Sequence, residues 1–238
     1  MATTSDDKAI KVWDCATWTL KAEGTAAKRV STLTFAHTGT DLLAADKFGD
    51  VWSYTFGGPH QAVGGAAGAS VPATPTPALP TATPTAAAAT SAPVGLTASL
   101  LMGHLSIVTD LVVGSDNDLL ITSDRDEKIR VSRYPKAFVV EGFCLGHFQF
   151  VTCVHIPAHQ QGKQRLLLSG GGDGLLILWD YDKCVALQTV DLARLYGKKT
   201  GAVAGGSSEA EEGEAAAAAN LDVMRIVSHG NVVVVAAE

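Results

Sequence analysis

Apolar residues fall along this chain in short runs separated by polar and turn residues, the pattern of short strands joined by turns. The pattern predicts strands over STLTFAH (31–37), DLLAA (41–45), VTDLVVG (108–114), DLLITS (118–123), RLLLSG (165–170) and LLILWD (175–180). Helical periodicity is scarce, and only LQTVDLARLYG (187–197) reads as a short helical turn. No run of eighteen apolar residues exists, so the pattern predicts no membrane-spanning helix. The chain is therefore read as all-β.

Two stretches break the pattern. Gly57 to Gly95 carries no charged residue and seven of the nine prolines, and reads as a low-complexity Ala/Pro/Thr insertion. Gly197 to Ala219 is small and acidic, and reads as a solvated loop.

What remains repeats its endings. SDDKAIKVWD (5–14), TSDRDEKIRVSRY (122–134) and SGGGDGLLILWD (169–180) each place apolar residues three and five positions after an Asp. Trp13 and Trp179 follow their Asp by six. AADKFGDVWSY (44–54) is a weaker copy, so Asp7, Phe48, Asp126 and Asp173 mark equivalent places, about forty residues apart once the insertion is removed. Two copies are preceded by Gly-His, in LLMGHLSIVTDLVV (100–113) and FCLGHFQFVTCVHI (143–156). Gly-His, strand, Ser/Thr, Asp and Trp-Asp in that order predict a WD-repeat β-propeller.

Each part has a physical task. The Asp takes backbone amides of a tight turn and the His, and the His links on to a hydroxyl and an indole N–H, so no buried polar group is left unpaired. The expected networks are His147, Ser169, Asp173 and Trp179, and His104, Thr122 and Asp126, with Ser132 where a Trp is due. A Ser, a His and an Asp together also evoke a hydrolase. Their recurrence at repeat spacing and the lack of a GxSxG elbow favour the structural reading.

About four blades are visible, arranged as a partial first and a second blade (1–56), the insertion (57–95), third and fourth blades (96–196), the acidic loop (197–219) and the start of a further blade (220–238). A seven-bladed ring needs roughly 280 ordered residues, so the chain reads as an incomplete propeller.

Composition narrows the chemistry. A net charge of −6 argues against holding a polynucleotide by bulk charge, although a local basic patch is compatible with it. The N-terminus has early acids and no apolar core of signal-peptide length. Cys15, Cys144, Cys153 and Cys184 form no CxxC pair and read as reduced thiols of a cytosolic or nuclear protein. Cys144, His147, Cys153 and His155 lack zinc-site spacing, and SGGGDG (169–174) falls in a strand–turn–strand ending rather than a phosphate loop.

Repeat structure alone specifies a scaffold, but particular stretches go further. STLTFAHTGTDLLAADKFGDVWSYTF, GHLSIVTDLVVGSDNDLLITSDRDEKIRVSRYP and FCLGHFQFVTCVHIP…LLLSGGGDGLLILWDY resemble, in order and spacing, the WD-repeat non-catalytic subunit of the eukaryotic tRNA (guanine-N7)-methyltransferase. The resemblance spans Lys28–Phe56 and Leu101–Tyr181 and is most specific at ADKFGDV and DRDEKIRVSRYP, neither of which is generic repeat sequence. The Ala/Pro insertion departs from it.

The resemblance implies an accessory protein with no catalytic residues and no cofactor or metal of its own. S-adenosylmethionine is expected on a separate catalytic methyltransferase subunit, with which this chain forms a heterodimer that acts on tRNA in the nucleus, or in nucleus and cytoplasm. Such a subunit binds and stabilises the enzyme that forms N7-methylguanosine in the tRNA variable loop, and helps position the tRNA. Carried onto this sequence, it implies partner contacts at Arg130, Lys47 and Glu127. Arg125, Lys128 and Arg133 are candidates to neutralise tRNA phosphates. The competing expectation is a generic WD-repeat adaptor, such as a ubiquitin-ligase substrate receptor.

Overall fold

The apolar stretches fold as strands, with little else. The structure, a computed structural model, describes residues 1–56, 93–157, 165–195, 221–230 and 232–238. The Ala/Pro/Thr stretch, apart from its last three residues, and the whole acidic stretch lie outside the described residues. In chain order the strands are β1 (Ala2–Thr4), β2 (Ala9–Trp13), β3 (Leu20–Thr25), β4 (Val30–Phe35), β5 (Asp41–Asp46), β6 (Asp50–Thr55), β7 (Val94–Gly95) and β8 (Thr97–Gly103). There follow β9 (Val108–Val113), β10 (Leu119–Asp124), β11 (Lys128–Arg133), β12 (Val140–Leu145), β13 (Val151–His155), β14 (Leu166–Gly171), β15 (Leu175–Asp180), β16 (Val185–Asp191), β17 (Val223–His229) and β18 (Val232–Ala237). Helix among the described residues is one turn at 192–195.

The strands form propeller blades. Three complete antiparallel sheets run β4-β5-β6-β8, β9-β10-β11-β12 and β13-β14-β15-β16. Before them comes a sheet of β1, β2 and β3 with β7 added parallel to β3, and after them the hairpin β17–β18. The first strands of successive sheets, β4, β9, β13 and β17, stand side by side.

The core lies between sheets, so that β5 and β10 are buried on both faces. Ile129 and Val131 of β11 are buried against Ile177 and Trp179 of the next sheet. Leu120 of the neighbouring β10 points the other way, into a cluster with Leu43, Val51 and Val108. Ile10, Val12 and Leu42 fill the preceding gap, and Leu168, Val223 and Ile226 the last one. Each fully buried Ile or Leu contributes about 1.5–3 kcal/mol, so the sheets hold one another rather than standing alone.

The hairpins β1–β2, β5–β6, β10–β11 and β14–β15 share one backbone device. Lys8 (φ 68), Gly49 (φ 95), Glu127 (φ 68) and Gly174 (φ 70) are left-handed at equivalent turn positions. At Gly49 only glycine fits, because a Cβ would lie 2.6 Å from the carbonyl oxygens of both His104 and Ser106. That close approach seats the β5–β6 turn on the loop leading into the third sheet.

The polar networks differ between sheets. In the fourth, His147 Nδ1 lies 3.0 Å from Asp173, His147 Nε2 lies 2.7 Å from Ser169 Oγ, and Trp179 Nε1 donates to the same hydroxyl at 2.8 Å. In the third, His104 Nε2 meets Thr122 Oγ1 at 2.9 Å, but the carboxylate beside its Nδ1 is Asp124 at 3.4 Å, not Asp126. Asp126 instead accepts from Ser106 Oγ at 3.0 Å. The cause is the residue two places earlier. In the fourth sheet that place is Gly171, whose Cβ would lie 2.8 Å from both His147 Nδ1 and Asp173 Oδ1. Only one of the two turn positions can direct a carboxylate to the histidine. Asp124 takes that role in the third sheet, and Asp126 turns outward.

Candidate partner-binding surface

Arg130 sits in the middle of β11 on the face opposite Ile129 and Val131, and so looks toward the second sheet. Its Nε donates to Ser132 Oγ at 3.1 Å, Nη1 to the Gly103 carbonyl at 3.3 Å and Nη2 to the Ala137 carbonyl at 3.4 Å. All three acceptors are neutral, and no carboxylate among the described residues forms an ion pair with the guanidinium. Partial burial lowers its pKa from the usual arginine range, which reflects the cost of holding this charge away from water. The arrangement is a guanidinium fixed in place with its charge uncompensated, the state in which an incoming carboxylate gains most.

Arg130 holds the end of β8 through Gly103. The segment that follows, His104 to Ser106, carries the other candidates. The Gly49 turn packs on it and receives the His104 N–H at 2.8 Å, which places Lys47 and Phe48 alongside. Ser106 binds Asp126, which places Glu127 and Arg125 on its other side. Lys47, Glu127, Arg125 and Lys128 are all exposed. Lys47 and Glu127 have no side-chain partner among the described residues. Thus Arg130, Lys47 and Glu127 border one stretch of backbone, although they come from three places in the sequence.

Arg133 is set apart. It closes β11 at the end opposite Lys128, about 17 Å away at strand rise, and is ion-paired with Glu141. There it borders a cleft of about 560 Å³ with Lys136, Arg165, Glu141 and Asp182. The charges of that cleft largely satisfy one another, with Arg165 2.7 Å from Asp116 and 2.8 Å from Asp118.

The resemblance to a hydrolase triad ends at access. Ser169 is 0% exposed, and its hydroxyl already meets both His147 and Trp179. No substrate atom can reach it without unpacking the blade.

Sequence reasoning missed two groups. Asp110 of β9 joins three sheets, accepting from Thr32 Oγ1 at 3.0 Å and from the Val154 N–H at 3.0 Å, and burial raises its pKa. Phe48 is 70% exposed, and Leu105, on the segment against which its turn packs, is 108% exposed. The signal for Phe48 was present, since it stands where three other repeats have Asp.

Comparison with known proteins gives the family context. The family model described as tRNA methyltransferase TRM82 WD40 domain matches residues 1–94 and 81–238. A human protein named tRNA (guanine-N(7)-)-methyltransferase non-catalytic subunit WDR4 is 33% identical over 194 residues, covering 82% of this chain and 38% of that protein. The Aspergillus oryzae protein of the corresponding name, trm82, is 31% identical over 227 residues, covering 82% and 44%. TRM82 of Meyerozyma guilliermondii is 41% identical over 97 residues, covering 40% and 22%. The chain spans less than half the length of these curated relatives.

Proposed function

Because the chain belongs to the tRNA methyltransferase TRM82 WD40-domain family, we propose that it serves as the non-catalytic subunit of a tRNA (guanine-N7)-methyltransferase. In this reading the propeller brings no reacting group. A separate catalytic subunit binds S-adenosylmethionine and transfers the methyl group to guanine N7 in the variable loop of tRNA. This chain docks on that subunit, holds it in its active form and helps position the tRNA. The complex works in the nucleus, with a cytoplasmic share.

The observation that carries the reading is the uncompensated guanidinium of Arg130. A fold that wanted only a blade has no need of a charge in that place, since its own bonds from Arg130 go to neutral acceptors. A carboxylate of the catalytic subunit supplies the missing counter-charge, with Lys47 and Glu127 contributing at the edge. Arg125 and Lys128, exposed at the β10–β11 turn, are the basic groups placed for tRNA phosphates next to this interface. Arg133, at the far end and paired with Glu141, contributes to tRNA binding only from a separate surface.

The experiment is reconstitution from full-length proteins. The purified complex methylates guanine N7 in tRNA, the catalytic subunit alone does so weakly, and this chain alone does not. Methylation by this chain alone would defeat the reading. So would failure of the full-length protein to bind the catalytic subunit.

A further inference from the structure

Phe48 occupies the turn position that Asp7, Asp126 and Asp173 occupy in the other repeats. The turn does not need it. Asp46 already accepts the Phe48 N–H at 2.8 Å and the Asp50 N–H at 3.3 Å, as Asp124 accepts those of Asp126 and Lys128 in the third sheet. What Phe48 adds is an exposed ring. Lys28 Nζ stands 4.4 Å from the ring centroid and is anchored on Asp50 at 3.1 Å, which steadies the ring where it is. The adjoining Gly49 packs against the carbonyls of His104 and Ser106, so the turn that carries Phe48 adjoins the backbone that carries the exposed Leu105. Two residues before Leu105 is Gly103, whose carbonyl Arg130 holds. Phe143, 44% exposed, lies opposite Arg130 in the β11–β12 register. The exposed apolar groups Phe48, Leu105 and Phe143 therefore stand on the elements that carry Lys47 and Arg130 or on those that adjoin them.

We propose that Phe48 and Leu105 are the apolar anchors of the interface with the catalytic subunit, seated in an apolar depression whose rim carries the carboxylates that meet Arg130 and Lys47. The proposal rests on the functional assignment above and adds to it. Charge complementarity selects the occupant. A fixed, uncompensated cation beside exposed apolar side chains fits a surface that offers acid and apolar area together. Burial of Phe48 and Leu105 excludes water from the Arg130 ion pair and so strengthens it.

The test is the dissociation constant of the full-length protein for its catalytic subunit. Phe48→Asp installs the residue the other repeats carry at this turn, so the blade tolerates it. Leu105→Ser alters a side chain that is fully exposed. Each variant is expected to bind about tenfold or more weakly with an unchanged melting temperature, the size of loss typical of an interface anchor. Unchanged affinity in both folded variants overturns the proposal. So does a defect confined to tRNA affinity or to self-association of this chain, since either gives the patch a different occupant. Failure of the unaltered protein to bind the catalytic subunit instead overturns the functional assignment itself, which keeps the two failures apart.

Discussion

Arg130 Nε donates to Ser132 Oγ at 3.1 Å, and this bond accounts for the tryptophan missing from the third repeat. In the first and fourth sheets the residue at that place is Trp13 or Trp179, whose indole N–H serves Thr3 Oγ1 at 3.0 Å or Ser169 Oγ at 2.8 Å. In the third sheet a serine stands there instead. The smaller side chain leaves room for the guanidinium between the second and third sheets and gives it an acceptor. The third blade exchanges a self-contained network for one that reaches its neighbour and carries a charge.

The fourth blade's network makes a strong stability prediction. Ser169→Ala removes one hydroxyl that serves both His147 Nε2 and Trp179 Nε1, leaving two buried groups without their partner. The expected cost is about 2–4 kcal/mol, read from urea unfolding. A cost under about 0.5 kcal/mol would mean that the hydroxyl is not holding the network together.

The two ways of directing a carboxylate at the histidine should be interchangeable, but not simultaneous. Gly171→Asp alone places a side chain 2.8 Å from both His147 Nδ1 and Asp173 Oδ1, and should cost more than about 2 kcal/mol. Combining it with Asp173→Ser leaves a single carboxylate, at the place from which Asp124 meets the histidine in the third sheet, and should restore most of the loss. A double-mutant cycle that proves additive would contradict this account.

Acid should loosen the blades through Asp124 and Asp173. Burial alone opposes the charge on Asp173, but bonds from His147 and the Phe148 N–H outweigh it and hold the carboxyl below its model-compound value of 3.8. Burial of Asp124 is likewise outweighed, by His104 and the amides of Lys128 and Asp126. A depressed folded-state value means the stabilisation is complete above the unfolded-state value and is lost as pH falls through the folded one. Unfolding free energy should therefore drop on acidification below about pH 4, and Asp173→Asn should flatten that drop. Asp110 has the opposite sign. Its raised value favours the protonated form in the fold, so its contribution diminishes as pH rises.

Thiol reactivity should separate the four cysteines. Cys15 is exposed, whereas Cys144 and Cys153 are buried. Burial pushes up the Cys144 thiol, helped by the neighbouring Cys184, and burial also raises Cys153 and Cys184. Only the thiolate reacts. Titration of the folded protein with a thiol-reactive dye should label Cys15 quickly and the others slowly, until denaturant releases them. Fast labelling of Cys144 would contradict the packing between the third and fourth sheets.

How much of this was legible in the sequence depends on distance along the chain. β5, β10 and β15 were readable because short apolar runs bounded by turn residues act locally, and the repeat of Asp, apolar residue and Trp showed where each hairpin turns. The histidine network of the fourth blade was readable because its spacing is that of the repeat. The choice between Asp124 and Asp126 was not, because both flank the same turn and the outcome depends on what stands two places earlier, as Gly171 shows. The partners of Arg130 were hidden for a different reason. Gly103 is 27 residues away, and only the packing of one sheet on the next brings it within reach. Phe48 was visible as a departure from the repeat, yet the contact of its turn with the segment that carries Leu105 became apparent only once Gly49 was seen against the His104–Ser106 backbone.

In the function proposed above, Arg130 meets a carboxylate of the catalytic subunit. The most direct measurement is the affinity of full-length Arg130→Glu for that subunit, paired with a subunit in which the facing acid is replaced by arginine. The expected result is at least about a hundredfold loss with the unaltered subunit and substantial recovery with the charge-reversed one, the coupling of a direct ion pair. A folded Arg130→Glu protein that binds as tightly as the unaltered chain, or a loss that charge reversal of every acid at the interface fails to recover, would contradict it.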